Sequence, residues 1–334
     1  MHNSPKRHLA GLLAAALLAA YPSPALAGDS RSIFVLTDPR GDDHGDGSLI
    51  YPRRDDLRPG DLDLLSVEAR ALADGTEFEA TFARPIRPTA RRTIDIGGGS
   101  LDDIARYNFY TFNLDIYIDT DRVAGSGSVA SLPGRKAEID SASAWDKAIC
   151  LTPRPNEARV ALKRILTRFA ARDRKARGER IDTAQAKEID VQIDHDTDSR
   201  VFFPTRIHVF GPTIRFFVPS SFLGGIAKPT WSYVVAVSGA DIYQELDIGA
   251  ALKITKPDPD SLMILPIEPG NWSDRFGGAR DDDPLQPPLV DIVVPGRSKQ
   301  EEVLKDYSPA SGRPARLPGV IPSQEPANPR SARR

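Results

Sequence analysis

Ten consecutive residues, Asp38-Pro39-Arg40-Gly41-Asp42-Asp43-His44-Gly45-Asp46-Gly47, hold the densest chemistry in this 334-residue chain. Four carboxylates fall within nine positions, interleaved with three glycines and a proline. Side chains of one sign packed this closely repel one another unless a cation neutralises them. Calcium takes about six to eight oxygens from carboxylates and loop carbonyls, and glycines let a loop wrap the ion. Asp42 and Asp43 are the preferred ligands, Asp38 and Asp46 second contributors, and the Gly45 carbonyl a further one. The spacing is not that of an EF-hand, because the ordered D-x-D-x-D-G and its closing Glu are absent. The alternative is a solvated acidic turn.

Two weaker acidic sets follow. Asp115, Asp119 and Asp121 lie in and just after an apolar alternating run. Asp194, Asp196 and Asp198 alternate around His195 and suit a solvated strand edge. Nucleophilic and nucleotide chemistry finds no support: G-x-S-x-G, H-E-x-x-H and G-x-x-x-x-G-K-[ST] are all missing. Gly125-Ser126-Gly127-Ser128-Val129-Ala130 matches G-x-G-x-x-A, but Pro133 and Gly134 stand where the helix should begin. Aromatic side chains offer a different chemistry, stacking on the C–H faces of sugar rings. Trp272 in the loop Gly270–Gly278 is the best surface candidate, with Trp145, Tyr51 and Tyr110 behind it. Each of these aromatics would serve equally well as core.

The elements that must position these residues are mostly strands. Residues 32–36, 76–82, 113–119, 206–210, 213–218 and 231–237 alternate apolar and polar residues or are β-rich, and Gly, Pro, Asp and Asn punctuate them. Gly211-Pro212 makes 206–218 a hairpin. One segment breaks the pattern. Over 157–177, Leu162, Ile165, Leu166 and Phe169 recur at helical spacing beneath a basic face of Lys163, Arg164, Arg168, Arg172, Arg174, Lys175 and Arg177. Such a helix packs its narrow stripe on the sheets, or touches an anionic membrane peripherally.

Both ends read as lying outside the fold. Residues 1–27 have the form of a secretory signal: Lys6 and Arg7, the apolar run Leu9–Ala20, then Ala25-Leu26-Ala27. Residues 308–334 hold six prolines, five arginines and one acid, and read as a disordered tail. The whole chain carries −2; without Lys6 and Arg7 it carries −4, and a tail of +4 leaves residues 28–307 at −8. That balance excludes a general nucleic-acid binder. The single cysteine, Cys150, excludes an intrachain disulfide and sits in an apolar run as a buried thiol.

Taken in order, these segments resemble the C-terminal module of glucodextranase. The opening Asp38–Gly47 with Tyr51-Pro52 carries the resemblance most specifically. It continues through Asp115–Asp119, Leu132-Pro133-Gly134, Ala144–Ala148, Val218–Gly224 and Trp231–Tyr233. Phe276-Gly277-Gly278, Val290–Pro295 and Gln300–Leu304 complete it, so it spans about 30–307, with 152–205 as an insertion. The resemblance implies an all-β, DOMON-like (immunoglobulin-like) antiparallel sandwich with one inserted amphipathic helix. It also implies a non-catalytic module that binds a glycan or an envelope polysaccharide; the signal segment adds the expectation that the protein is periplasmic or secreted, and the acidic loop that it is calcium-stabilised. Two rivals remain at this stage. One is a haem module using Met263 and a histidine, and the other is a glycan hydrolase with a carboxylate pair assembled in space.

Overall fold

A computed structural model describes residues 31–89, 100–180, 182–244, 258–279, 285–296 and 298–323. The expected signal segment 1–27 lies outside these described residues. The strands are β1 (Arg31–Thr37), β2 (Leu64–Leu72), β3 (Gly75–Phe82), β4 (Phe112–Asp119), β5 (Ala137–Ile139) and β6 (Lys147–Leu151). They continue with β7 (Val201–Phe202), β8 (Ile207–Phe210), β9 (Thr213–Pro219), β10 (Ser232–Gly239), β11 (Asp291–Ile292) and β12 (Ala315–Leu317). The helices are α1 (Leu101–Ile104), α2 (Pro155–Ala176), α3 (Thr183–Arg200), α4 (Ser220–Leu223) and α5 (Gln300–Lys305).

Two five-stranded sheets form the body, in the orders β1-β2-β3-β9-β8 and β11-β10-β4-β6-β7. The expected hairpin is there, with β8 and β9 joined through Phe210↔Thr213. Strict alternation in β3 sends Phe78, Ala80 and Phe82 inward and leaves Glu77 and Glu79 on the outer face. There Glu79 pairs with Arg215 of β9. The inward set meets Leu114, Ile116, Ile118, Val235 and Val237 of the other sheet in one continuous core. The second sheet is covered on both sides, so β4 and β10 are buried at every position. A second core lies on its outer face, where Tyr117, Cys150 and Val234 meet Ala158, Leu162 and Ile165 of α2. Strands buried on both faces lose alternation, as β10 shows with Val234-Val235-Ala236-Val237. Most pairings are antiparallel, but β6–β7 and β12–β5 run parallel.

The insertion holds two helices rather than one. The α2 segment matches the expected amphipathic helix, with Pro155 in its first turn. The acidic set Asp194, Asp196 and Asp198 lies on α3 and not on a strand edge. Apolar Ile189, Val191 and Ile193 alternate as a strand would, which hid the helix. A capping box between Asp182 and Gln185 starts it. Its Asp194 and Asp198, one turn apart, pair with Lys163 and Arg159 of α2. Much of the basic face of α2 is therefore paired within the chain: Arg168 and Arg172 meet Asp260, and Arg174 and Arg177 meet Glu179. Among the described residues no helix is long and apolar enough to cross a membrane.

The reading of 308–334 as disordered is corrected for residues 308–323. Strand β12 pairs in parallel with β5, and Ala315, Leu317 and Val320 are buried. Val320 exchanges backbone hydrogen bonds with Tyr233 at 2.8 Å in both directions. Prolines and arginines space these apolar residues so that composition conceals them. Residues 324–334 lie outside the described residues.

Candidate functional site

The acidic loop begins where β1 ends and crosses to the edge of the other sheet. Its Asp38 N–H donates to Leu65 of β2 at 3.0 Å, and its Gly45 N–H donates to Val290 at 2.9 Å. Gly45 has φ +61, and a Cβ there would stand 2.7 Å from the Leu289 carbonyl, so the close approach requires glycine. Helix α5 clamps the loop from outside. The Gln300 amide donates to the Asp42 carbonyl at 2.5 Å and accepts from the Ile292 N–H at 2.6 Å. His44 lies 3.2 Å from Glu301.

This crossing brings Asp38 and Asp42 against Asp291, the first residue of β11, with ligand oxygens within 4.8 Å of one another. Asp291 is 0% exposed, and its Oδ2 accepts from the Leu64 N–H at 2.7 Å. Its Oδ1, both oxygens of Asp38 and Oδ1 of Asp42 are buried without a hydrogen-bond donor. Buried polar atoms are normally paired, and four orphaned carboxylate oxygens in one spot have the donor chemistry that would suit a cation. Burial and then the neighbouring Asp42 push the Asp38 carboxyl up to about 8. Burial, then Asp38 and Asp42, raises Asp291 well above the carboxylate range. Burial also raises Asp42.

The expected ligand set is therefore changed in part. Asp38 and Asp42 belong to the cluster. Asp43 does not, since its Oδ2 accepts from the Tyr51 hydroxyl at 2.5 Å and the Gly60 N–H at 2.6 Å. Asp46 turns to Ser48 and the Gln286 amide. The Gly45 carbonyl accepts from Gln300 at 3.3 Å. Asp291 is the member that sequence reasoning missed. Its signal was a charge inside the apolar run Val290-Asp291-Ile292-Val293, where a carboxylate needs a partner.

A second acidic group, Asp119, Asp121 and Asp146, also lies close together. Each of these carboxylates is engaged locally. Asp119 accepts from Arg122, Asp121 from Val123 and Ser126, and Asp146 from Thr120.

Of the four aromatic candidates, one is at the surface. Trp272 is 42% exposed, its indole N–H donates to Pro269, and Arg275 lies over its ring at 5.1 Å. Trp145 is 6% exposed and donates to the Ala130 carbonyl, with Arg200 over its ring. Tyr110 is 2% exposed and donates to Asp56. Tyr51 is buried with its ring edge against Phe276. These three are packing residues with satisfied polar tips, so Trp145, Tyr51 and Tyr110 are corrected as stacking platforms. Met263, the residue the haem alternative would use, is buried in the second core beside Leu262.

A cleft of about 680 Å³ opens beside the acidic loop, between its residues 40–51, the turn 59–63 and residues 83–84. Its floor includes Asp63, whose Oδ2 accepts from the Gly41 N–H at 2.9 Å. Burial, then Asp43 and Asp42, raises the Asp63 carboxyl to about 6.

A family model described as the SLH-like C-terminal binding module of glucodextranase matches residues 33–319. The match takes in both sheets, the acidic loop, β11 and β12. No curated protein matches the chain.

Proposed function

We infer that this chain, which belongs to the family of the SLH-like C-terminal binding module of glucodextranase, works as a non-catalytic carbohydrate-binding protein. The observation that carries the reading is the extent of the match, 33–319, which makes nearly all of the described chain one binding module. The DOMON-like kinship of the sandwich belongs to the same reading, as does export to the periplasm or medium by residues 1–27. Its partner is a glycan or envelope polysaccharide, approached from the side of the acidic loop and Trp272.

Calcium completes the module in this reading. Asp38, Asp42 and Asp291 would hold the ion, and it would supply charge neutralisation between β1 of one sheet and β11 of the other. The ion has a structural part, because a cation there ties the two sheets at one edge. Affinity electrophoresis through gels carrying soluble polysaccharides tests the function. The chain should be retarded by at least one polysaccharide in calcium, and the polysaccharide should stay uncut. Unchanged mobility across the set, or shortening of the polysaccharide, would sink the reading.

A further inference from the structure

The cleft beside the acidic loop carries a chemistry of its own. Two arginines line it, and among the described residues each makes only a long contact with the protein. Arg40 is exposed, and its hydrogen bond is a 3.5 Å contact from Nη1 to the Ala83 carbonyl. Arg84 is half exposed, and its ion-pair partner Asp61 stands 3.9 Å away. Asp61 Oδ2 accepts from the Arg58 N–H at 2.9 Å and lies 3.3 Å from Arg87, while its Oδ1, the oxygen nearest Arg84, is buried without a hydrogen-bond donor and stays beyond hydrogen-bond reach of that guanidinium. A guanidinium offers five N–H donors in a planar fork that matches a carboxylate. Two such forks lining one cleft leave an anion-binding capacity unfilled.

The floor and the opposite wall have different tastes. Asp63 is 2% exposed, and its Oδ1 is buried without a donor. A carboxylate oxygen in that state accepts a hydroxyl hydrogen well and repels an anion. Ile50 and Pro59 add apolar surface, and Ile50 is among the exposed large apolar residues. An apolar wall suits the C–H face of a ring. One ligand satisfies all three surfaces: a ring with an apolar face, free hydroxyls at one end and a carboxylate at the other.

We propose that this cleft binds an acidic saccharide of the uronate type, its carboxylate held by Arg40 and Arg84 and a ring hydroxyl donating to Asp63. The proposal rests on the carbohydrate-binding reading above and names its ligand class and subsite. The body of the protein is acidic, at −8 over residues 28–307. Its overall field therefore does not attract such a ligand, and the two arginines must supply the selectivity locally.

The test is calorimetric titration of the processed chain in calcium. The probes are trimers of galacturonate, guluronate and mannuronate, the methyl ester of each, and neutral maltotriose and isomaltotriose. At least one acid should bind at least tenfold more tightly than its own ester. Arg84→Gln and Arg40→Gln should each cost that acid at least fivefold while the melting temperature stays put, since both side chains lie at the surface. Equal affinity for acid and ester, or full affinity in both arginine variants, overturns the proposal. Binding of a neutral trimer with no uptake of any acid overturns it too, yet leaves the carbohydrate-binding reading standing. Refusal of every probe, together with unretarded migration through the polysaccharide gels, removes both.

Discussion

Replacing Asp291 by Asn should reverse the stability order of variant and wild type according to whether calcium is present. The ligand oxygens of Asp38, Asp42 and Asp291 lie within 4.8 Å of one another. At that separation, with an effective dielectric constant of about 20, two unit charges repel by roughly 3 kcal/mol. Bound protons relieve part of this without metal, because Asp38 is held up to about 8. Asn at 291 removes the carboxyl that folding must either protonate or hold charged beside Asp38 and Asp42, and keeps an oxygen for the Leu64 N–H, now 2.7 Å from Oδ2. In chelator at pH 7.5 the variant should therefore be more stable than wild type by about 1–3 kcal/mol. In calcium at 1,000-fold the dissociation constant the wild type gains about 4.1 kcal/mol, which exceeds that advantage, and the variant gains little. Scanning calorimetry reads both arms, at roughly 2 °C per kcal/mol for a domain of this size. A variant less stable than wild type in chelator, or an equal calcium response in both proteins, would refute the cluster as a cation site.

Three further outcomes follow from the same geometry. In chelator, wild-type stability should fall as pH rises from about 5 to 8. The folded chain keeps a proton on Asp38, held at about 8, that the unfolded chain, at 3.8, has released. Each pH unit in that window costs up to about 1.4 kcal/mol, and Asp38→Asn should flatten the slope in urea titrations at several pH values. Ending the chain at residue 307 should destabilise it by roughly 4–6 kcal/mol, because Leu317 and Val320 are buried. Urea unfolding of the shortened chain checks this, and an unchanged midpoint would show that 308–323 contribute nothing. Asp115→Ala should cost about 3–5 kcal/mol by stranding buried Arg135, whose Nε lies 2.7 Å from Asp115. The double change Asp115→Ala with Arg135→Leu should recover part of that loss.

Local pattern reached some of this architecture and missed what depends on distant neighbours. Strands with one wet face were legible, as in Thr76–Phe82, because alternation survives where only one side is buried. The acidic loop was legible as a concentration of charge, and two of its carboxylates do converge. The third carboxylate of the cluster is Asp291, 253 positions after Asp38, and no spacing rule spans such a gap. Asp43 and Asp46 were misassigned because sequence cannot show that Tyr51 and Ser48 reach them first. Helix α3 has no apolar face to read; its carboxylates meet the basic face of α2, which only the folded hairpin supplies. Strand β12 was hidden for the opposite reason. Its Ala315 and Leu317 are few and spaced by arginine and proline, yet pairing with β5 buries both. Aromatics divided as burial dictates: Trp145 and Tyr110 found hydrogen-bond partners inside, and Trp272 stayed out.

The most direct test of the account is a glycan array probed with the processed chain twice, once in calcium and once in chelator. Retention is expected on a restricted set of glycans in calcium, uronate-bearing ones foremost, with weaker retention in chelator and no shortening of any bound glycan. Failure to retain any glycan in calcium, or release of sugar products from those retained, would contradict it.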